Sequence, residues 1–235
     1  MNYESFLELV KKRRSIRRFK PDPIPDEHVD KIIEAARWAP SGANSQPWEF
    51  IVVKKQELKD SIVKLYEEYS ALAYRMELTR EPELRFPTMA KPPQQPPSFA
   101  TAPVFIILCG DPRTKDAYPL SATLHQGQSI FTSSLASACL YMHLAATALG
   151  LGSQWVTATA YPFEQCLIKE LLEIPRELEI YDMMAVGYPT SEPAPRLVRA
   201  TEEMVHYDHY DKAKFRTDEK IKDFILTLRG VRKKP

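Results

Sequence analysis

The chain has 235 residues with 32 Lys plus Arg against 31 Asp plus Glu, so no net field favours nucleic acid or an anionic membrane. Hydrophobic residues at 44% and charged residues at 27% exclude the low-hydrophobicity, high-charge composition of a disordered polypeptide and predict a globular fold around one core. Three scattered cysteines, Cys109, Cys139 and Cys166, form no C-x-x-C pair, and the N-terminus carries Glu4 and Glu8 instead of an apolar run. The expectation is a reduced, cytoplasmic, soluble protein with no secretory signal and no apolar stretch of the roughly 18–20 residues that a bilayer span needs.

The first clear periodicity predicts a helix over 26–38, with Val29, Ile32, Ile33 and Ala36 on one face, Asp26 and Glu27 at its positive end, and Pro40 as its stop. The run 48–53, aromatic and β-branched, reads as a buried strand. Apolar residues at helical spacing predict an amphipathic helix over 58–76. Seven prolines between 81 and 103 then deny backbone donors, and a loop of this kind reads as a lid, a binding loop or a linker. A second buried strand is expected over 104–109. A long helix over 121–149, crowded with Ala, Ser and Thr, is expected to be central or at a subunit interface, because small side chains let another helix approach. Gly150 and Gly152 are read as its terminators. Strands over 154–157 and 180–186 flank a short helix over 162–172, and a last helix spans 217–228, closing at Gly230. No repeat and no composition shift marks a second domain, so the expectation is a single domain over 1–235 with a Pro-rich insertion at about 80–103 and an extension at about 208–235.

Two segments carry chemistry. Residues 11–18 pack six cations around Ser15, which reads either as a solvated basic patch or nucleic-acid run, or as a set of guanidinium forks plus a hydroxyl matched to the oxygens of one phosphate. Residues 39–48 form a polar turn bracketed by Pro40 and Pro47 that reads as an ordinary helix-to-strand loop or as a ligand-lining turn. Of the remaining polar residues, His206 and His209 lack the carboxylate and third ligand of a metal site, so no metal is expected. His125, His143, Trp38, Trp48 and Trp155 read as packing groups, although Trp155 is a candidate neighbour of a bound ring system. No Ser-His-Asp, Cys-His or paired-carboxylate arrangement is in evidence.

Together, Arg13-Arg14-Ser15-Ile16-Arg17 and Pro40-Ser41-Gly42-Ala43-Asn44-Ser45-Gln46-Pro47-Trp48 resemble the nitroreductase family, which has R-x-S-x-R near its N-terminus and a P-S-x-x-N-x-Q-P-W turn soon after. The resemblance runs from about Phe6 to Tyr207, through Leu149-Gly150-Leu151-Gly152 and Val186-Gly187-Tyr188-Pro189, and weakens in the Pro-rich insertion and after residue 210. It implies an α+β fold with a central, mostly antiparallel sheet surrounded by helices, and an intertwined homodimer with FMN at its interface. It further implies that Arg13, Arg14, Ser15 and Arg17 grip the ribityl phosphate. Arg196 and Arg199 would close on the same phosphate, in a register uncertain by one residue because the family often places a base where Val198 stands. Pro40, Ser41, Ala43, Asn44 and Gln46 would line the isoalloxazine, and Thr157, Ala158 and Thr159 its edge. Thr157 and Thr159 are the candidate neighbours of flavin N5, where a donor biases the accessible redox states, although plain β-propensity explains either one equally well.

The activity implied is FMN-dependent oxidoreduction by a ping-pong mechanism. NADH or NADPH donates hydride and leaves, and a small flat acceptor, a nitroaromatic, quinone or activated alkene, then takes its place, with no dedicated catalytic acid or base. Neither nucleic acid nor membrane is expected as a partner. The rival within the family is reductive dehalogenation of the iodotyrosine deiodinase kind. Those relatives clamp a zwitterion with a Glu and a Tyr one helical turn apart and a Lys before the next strand. The helix over 58–76 does not reproduce that set, and Pro96 stands near where the Lys would be. A flavin protein without turnover, and benzimidazole synthesis by flavin fragmentation, are further readings. The acceptor itself falls to residues 66–103, where Tyr66, Tyr69, Tyr74, Arg75, Phe86, Gln94, Gln95 and Phe99 either line a pocket or cover the core.

Overall fold

The structure is a computed structural model that describes residues 2–87, 89, 91–93, 95–193 and 196–229. Gln94 and Gly230, named above, lie outside the described residues. In chain order the regular elements are α1 (Tyr3–Lys12), α2 (Asp26–Arg37), β1 (Trp48–Val53), α3 (Gln56–Glu77), β2 (Val104–Gly110), α4 (Leu120–Ala148), β3 (Gly152–Val156), α5 (Pro162–Leu171), β4 (Glu179–Gly187) and α6 (Asp218–Leu228). The chain divides into two compact units, Met1–Tyr69 with Gln94–Pro193, and Ser70–Pro93 with Ala194–Pro235.

The first unit is built on a four-stranded sheet in the order β1-β2-β4-β3, with every neighbouring pair antiparallel. All seven residues of β2 are buried, because this central strand is covered on both faces. Its alternation divides the core. Val104, Ile106 and Leu108 face one apolar cluster with Val29, Ile32 and Ala36 of α2 and with Leu135, Ala138 and Met142 of α4. Phe105, Ile107 and Cys109 face the other, with Ile62 of α3, Ile168 of α5 and Phe99. β1, β2 and β4 were legible from sequence because they are apolar runs that line the core. The bulge between Leu108 and Cys109, which throws Tyr181 out of register in β4, left no such trace.

Helix ends follow local chemistry. Asn2 Oδ1 accepts the Ser5 N–H at 2.9 Å to cap α1, and Thr217 Oγ1 caps α6 by accepting from the Lys220 N–H at 3.4 Å. Gly150, at φ 74°, ends α4, where the Leu151 N–H donates to Ala146 O at 2.8 Å and the Gly150 N–H to Thr147 O at 3.1 Å. The reading of Gly152 as a second terminator is corrected: it is the first residue of β3, paired with Gly187. The Pro-rich stretch, expected to exclude regular structure, admits a short 3-10 turn at Pro82–Leu84, because proline is well placed in the first position of a helical turn.

Two apolar faces stay open in the single chain. No residue of α1 is buried, and Tyr3 (69% exposed) and Phe6 (47%) stand on its apolar stripe. On α4, Leu120 and Leu124 are 74% and 71% exposed. By length and composition α4 would also suffice to cross a membrane, contrary to the expectation from its interrupted apolar run, but half of its most apolar window is buried inside the protein.

In the second unit α6 lies against the 3-10 turn Pro82–Leu84, tied by a Lys222–Glu83 ion pair at 2.8 Å and by the Arg229 guanidinium 4.4 Å from the Phe86 ring.

Candidate functional site

The basic run is extended and docked. α1 stops at Lys12, and Arg13 (φ −60°, ψ 119°) turns the chain out while its N–H donates to Leu9 O at 3.0 Å. Ser15 then bridges Ser153 in parallel, with the Ile16 N–H donating to Ser153 O at 2.8 Å. Four residues on, Phe19 bridges Pro189 in antiparallel fashion, and the Lys20 N–H donates to Tyr188 O at 2.8 Å. Two glycines make this docking possible. A Cβ on Gly152 would lie 2.8–2.9 Å from three Ile16 side-chain atoms, and one on Gly187 would lie 2.6 Å from Pro103 Cδ and 3.1 Å from Phe19 Cδ1. Because Gly152 and Gly187 are partners across β3 and β4, together they leave bare backbone on which Ile16 and Phe19 sit.

With those two apolar side chains turned in, Ser15, Arg17 and Arg18 are exposed and Arg13 and Arg14 half-buried. The Arg13 charge reaches the ring of His143, and that of Arg17 reaches the Tyr66 hydroxyl, where it opposes the upward push of burial on the phenol. Guanidinium groups flanking a hydroxyl form a donor-rich set, the composition of an anion site.

The polar turn is strained. Ala43, Asn44 and Gln46 take left-handed φ values of 50°, 54° and 45°, a conformation that costs a non-glycine residue on the order of 1–3 kcal/mol and persists only where its surroundings impose it. The surroundings are named contacts. The Gly42 N–H donates to Ser134 Oγ of α4 at 3.1 Å, the Gln46 N–H donates to Ser41 Oγ at 3.0 Å, and Gln46 Nε2 donates to Asn44 O at 3.3 Å. A Cβ on Gly42 would lie 2.1 Å from Ile130 Cγ2, so this turn rests directly on α4. Ala43, Asn44 and Gln46 stay exposed, Ser41 is half-buried, and Pro40 precedes them in the exposed link from α2.

The threonine segment departs from the sequence reading, which placed Thr157 in a strand. β3 ends at Val156, and Thr157 is helical (φ −84°, ψ −19°), opening a 3-10 turn over Ala158–Ala160. The two threonines separate here. Thr159 is 1% exposed and its hydroxyl donates to Val156 O at 3.2 Å, so it serves the turn. Thr157 is exposed, and Ala158 between them is buried. Thr157 is therefore the hydroxyl that this segment presents outward.

Arg196 and Arg199 belong to the second unit. Arg196 is exposed, Arg199 pairs with Glu203 at 3.2 Å, and Val198 is 68% exposed. His206 Nδ1 accepts the Asp211 N–H at 3.1 Å and its ring stacks on Tyr210 at 4.2 Å, while His125 is exposed on α4. Among the pocket candidates, Phe99 is core (1% exposed), with Tyr66 edge-on against it at 4.8 Å, and Tyr69 stacks on Tyr161 at 4.5 Å.

A polar cluster that sequence reasoning missed lies under α4. His143 Nδ1 is 2.7 Å from Ser153 Oγ, and the imidazole stacks on Trp155 at 5.4 Å and 17°. The indole Nε1 donates to Asp182 Oδ2 at 2.5 Å, so Trp155 is committed to this cluster. Burial pushes the Asp182 carboxyl up to about 6, against the downward pull of the indole hydrogen bond. Burial, with the Arg13 charge adding, pushes His143 down to about 4. Elsewhere Glu164, 1% exposed at the start of α5, has both carboxylate oxygens unpartnered among the described residues, and burial raises its carboxyl. No local spacing announces these groups, because each pairing joins different elements.

The profile of the nitroreductase family matches residues 10–188. A protein of Archaeoglobus fulgidus, provisionally named an NADH dehydrogenase/NAD(P)H nitroreductase, is 30% identical over 191 residues, spanning 80% of this chain and 88% of its own. The structure of oxidised iodotyrosine deiodinase bound to FMN and 3-iodo-L-tyrosine superposes with a TM-score of 0.68 at 26% identity, covering 87% of this chain and 99% of that one. A nitroreductase with bound FMN from Bacteroides fragilis shares the fold at a TM-score of 0.64 and 22% identity, over 89% of this chain and 100% of its own. The antiparallel sheet wrapped by helices, the basic segment seated on two glycines and the strained turn on α4 thus fall within a matched region of three quarters of the sequence, and the chain belongs to the nitroreductase family.

Proposed function

We propose that the protein is an FMN-dependent oxidoreductase that takes electrons from NADH or NADPH and passes them to a small organic acceptor, working as a homodimer. The observation that carries this reading is the docking of residues 13–19: Ile16 packs on Gly152 and Phe19 on Gly187, which leaves Ser15 and Arg17 outward beside Arg13 and Arg14. That donor set fits a phosphate monoester, and the FMN bound in two structural neighbours supplies one.

The rest of the cofactor would follow β3. Ser153, where the basic segment docks, and Thr157, where the exposed hydroxyl stands, are four residues apart on extended chain, about 13 Å. The span suits a molecule with a phosphate at one end and a flat ring at the other. Arg13, Arg14, Ser15 and Arg17 would hold the phosphate, with Arg196 and Arg199 as further candidates. Pro40, Ser41, Ala43, Asn44 and Gln46 would line the ring through the strained turn, and Thr157 and Ala158 would meet its edge. FMN supplies the electron-carrying chemistry when bound, while the chain's residues bind, orient and shield it. A second copy would cover the open apolar faces at Tyr3 and Phe6 of α1 and at Leu120 and Leu124 of α4.

The deiodinase neighbour supports a second reading, reductive dehalogenation of an aromatic substrate. A single assay set separates them: the protein reconstituted with FMN is supplied with NADH or NADPH and challenged with menadione, nitrofurazone and 3-iodotyrosine. Turnover of the first two with little iodide release supports the proposal, and the reverse pattern selects the dehalogenase. A protein that retains FMN and reduces none of them is a flavin binder without this activity.

A further inference from the structure

We propose that His143 is a positioning residue for the phosphate end of the cofactor site: through Ser153 it fixes the strand position on which Ser15 and Ile16 dock, and so sets where the phosphate donors stand. The inference rests on the FMN reading above. Its starting point is a buried ring with one nitrogen unpartnered: the imidazole is 2% exposed, and its Nε2 is without a hydrogen-bond partner among the described residues.

Burial and the neighbouring Arg13 charge hold the ring neutral, and a neutral imidazole has one N–H and one bare nitrogen. If Nδ1 accepts from the Ser153 hydroxyl, Nε2–H is an orphan donor; if Nδ1–H donates, Nε2 is an orphan acceptor. Either tautomer forfeits a hydrogen bond in a buried place, a loss that a leucine would avoid. What the histidine supplies in return is one directed contact, 2.7 Å, to Ser153 Oγ.

Ser153 stands where the contact matters. Its carbonyl accepts the Ile16 N–H at 2.8 Å, its backbone bridges Ser15, and the preceding Gly152 carries the Ile16 side chain. The ring is fixed in plane by its stack on Trp155, itself tied to Asp182. A rigid chain of contacts therefore runs from Asp182 through Trp155, His143 and Ser153 to the one hydroxyl in the basic segment. Ser153 is 2% exposed and cannot touch the phosphate itself, so its effect passes through Ser15 and Ile16.

The test compares affinity for FMN with affinity for riboflavin, which lacks the phosphate, by quenching of flavin fluorescence in the wild type and in His143→Phe, His143→Asn and Ser153→Ala. Phenylalanine keeps the size and the stack on Trp155, and the asparagine amide returns a polar atom near the place of Nδ1. The expected result is that His143→Phe and Ser153→Ala lower the FMN-over-riboflavin preference about tenfold, with riboflavin affinity unchanged, as befits loss of one hydrogen bond's orientation. His143→Asn restores most of that preference. An unchanged ratio, or an equal fall for both flavins, overturns the inference while leaving FMN binding intact. A wild type that binds neither flavin removes the FMN reading and this inference together. If His143→Phe fails to fold, Ser153→Ala carries the same comparison.

Discussion

Substituting Gly152 by alanine probes the joint between fold and site. The new Cβ would stand 2.8 Å from Ile16 Cγ1 and 2.9 Å from both Ile16 Cβ and Cγ2. Because one of these atoms is the Ile16 Cβ, no rotamer change relieves the clash and the docked backbone must move. Overpacking of this kind costs about 1–3 kcal/mol. β3 keeps its partner β4 through Ser153, Gln154, Trp155 and Val156, so the strain falls on the docking of residues 13–19. If that docking positions the phosphate donors, FMN affinity drops about 5- to 150-fold, the same free energy expressed as a dissociation constant. The assay is a flavin titration beside a urea melt, on Gly152→Ala and on Gly152→Ala with Ile16→Ala. The double variant removes two of the three close atoms and is expected to recover part of the affinity. Wild-type FMN affinity in Gly152→Ala, at wild-type stability, would refute the reasoning.

Asp182 gives a prediction of pH dependence. Its folded pKa stands at about 6 against an ordinary 3.8, so the folded state holds the proton more tightly than the unfolded chain does. Well below pH 3.8 the carboxyl is neutral in both states and burial costs nothing; the penalty grows as pH rises from about 4 to about 6 and levels off above that at about 3 kcal/mol. Asp182→Asn keeps an acceptor for Trp155 and removes the charge, so its stability relative to wild type should rise between pH 4 and pH 7 in chemical denaturation. A difference flat across that range contradicts the assignment. Ala43→Gly, which normally costs about 0.5–1 kcal/mol in regular structure, should be neutral or stabilising by up to about 1 kcal/mol, because glycine accepts the left-handed φ of 50° freely. A melt that shows the ordinary loss would argue against a strained turn. Gly42→Ala should destabilise by about 1–3 kcal/mol, since its Cβ would meet Ile130 Cγ2 at 2.1 Å, and a wild-type melt would show that the turn moves freely on α4.

Much of the fold was legible because its signals are local. β1 is the run 48–53 and β4 extends the run 180–186 by one residue at each end, since apolar runs announce themselves by composition. α4 was legible from its small-residue period, and the turn from the prolines that bracket it. What was hidden depends on contacts between distant elements. Gly152 reads as a helix stop until Ile16 is seen above it, and Thr157 and Thr159 are equivalent in sequence until one is turned inward. The polar cluster of His143, Ser153, Trp155 and Asp182 joins a helix to two strands and has no spacing of its own. The grouping of residues 70–93 with residues 194–235 likewise joins segments with no shared pattern.

The central claim is that the segment seated on Gly152 and Gly187 holds the phosphate of FMN. The most direct measurement is the dissociation constant of FMN for the wild type, Arg13→Ala and Arg17→Ala, with riboflavin as the phosphate-free control. The account predicts that the wild type binds FMN and that each substitution weakens it about 10- to 150-fold, the worth of a charge-assisted hydrogen bond, while riboflavin affinity stays level. Equal affinity for FMN in the wild type and both variants, or a wild type that holds no flavin, would contradict it.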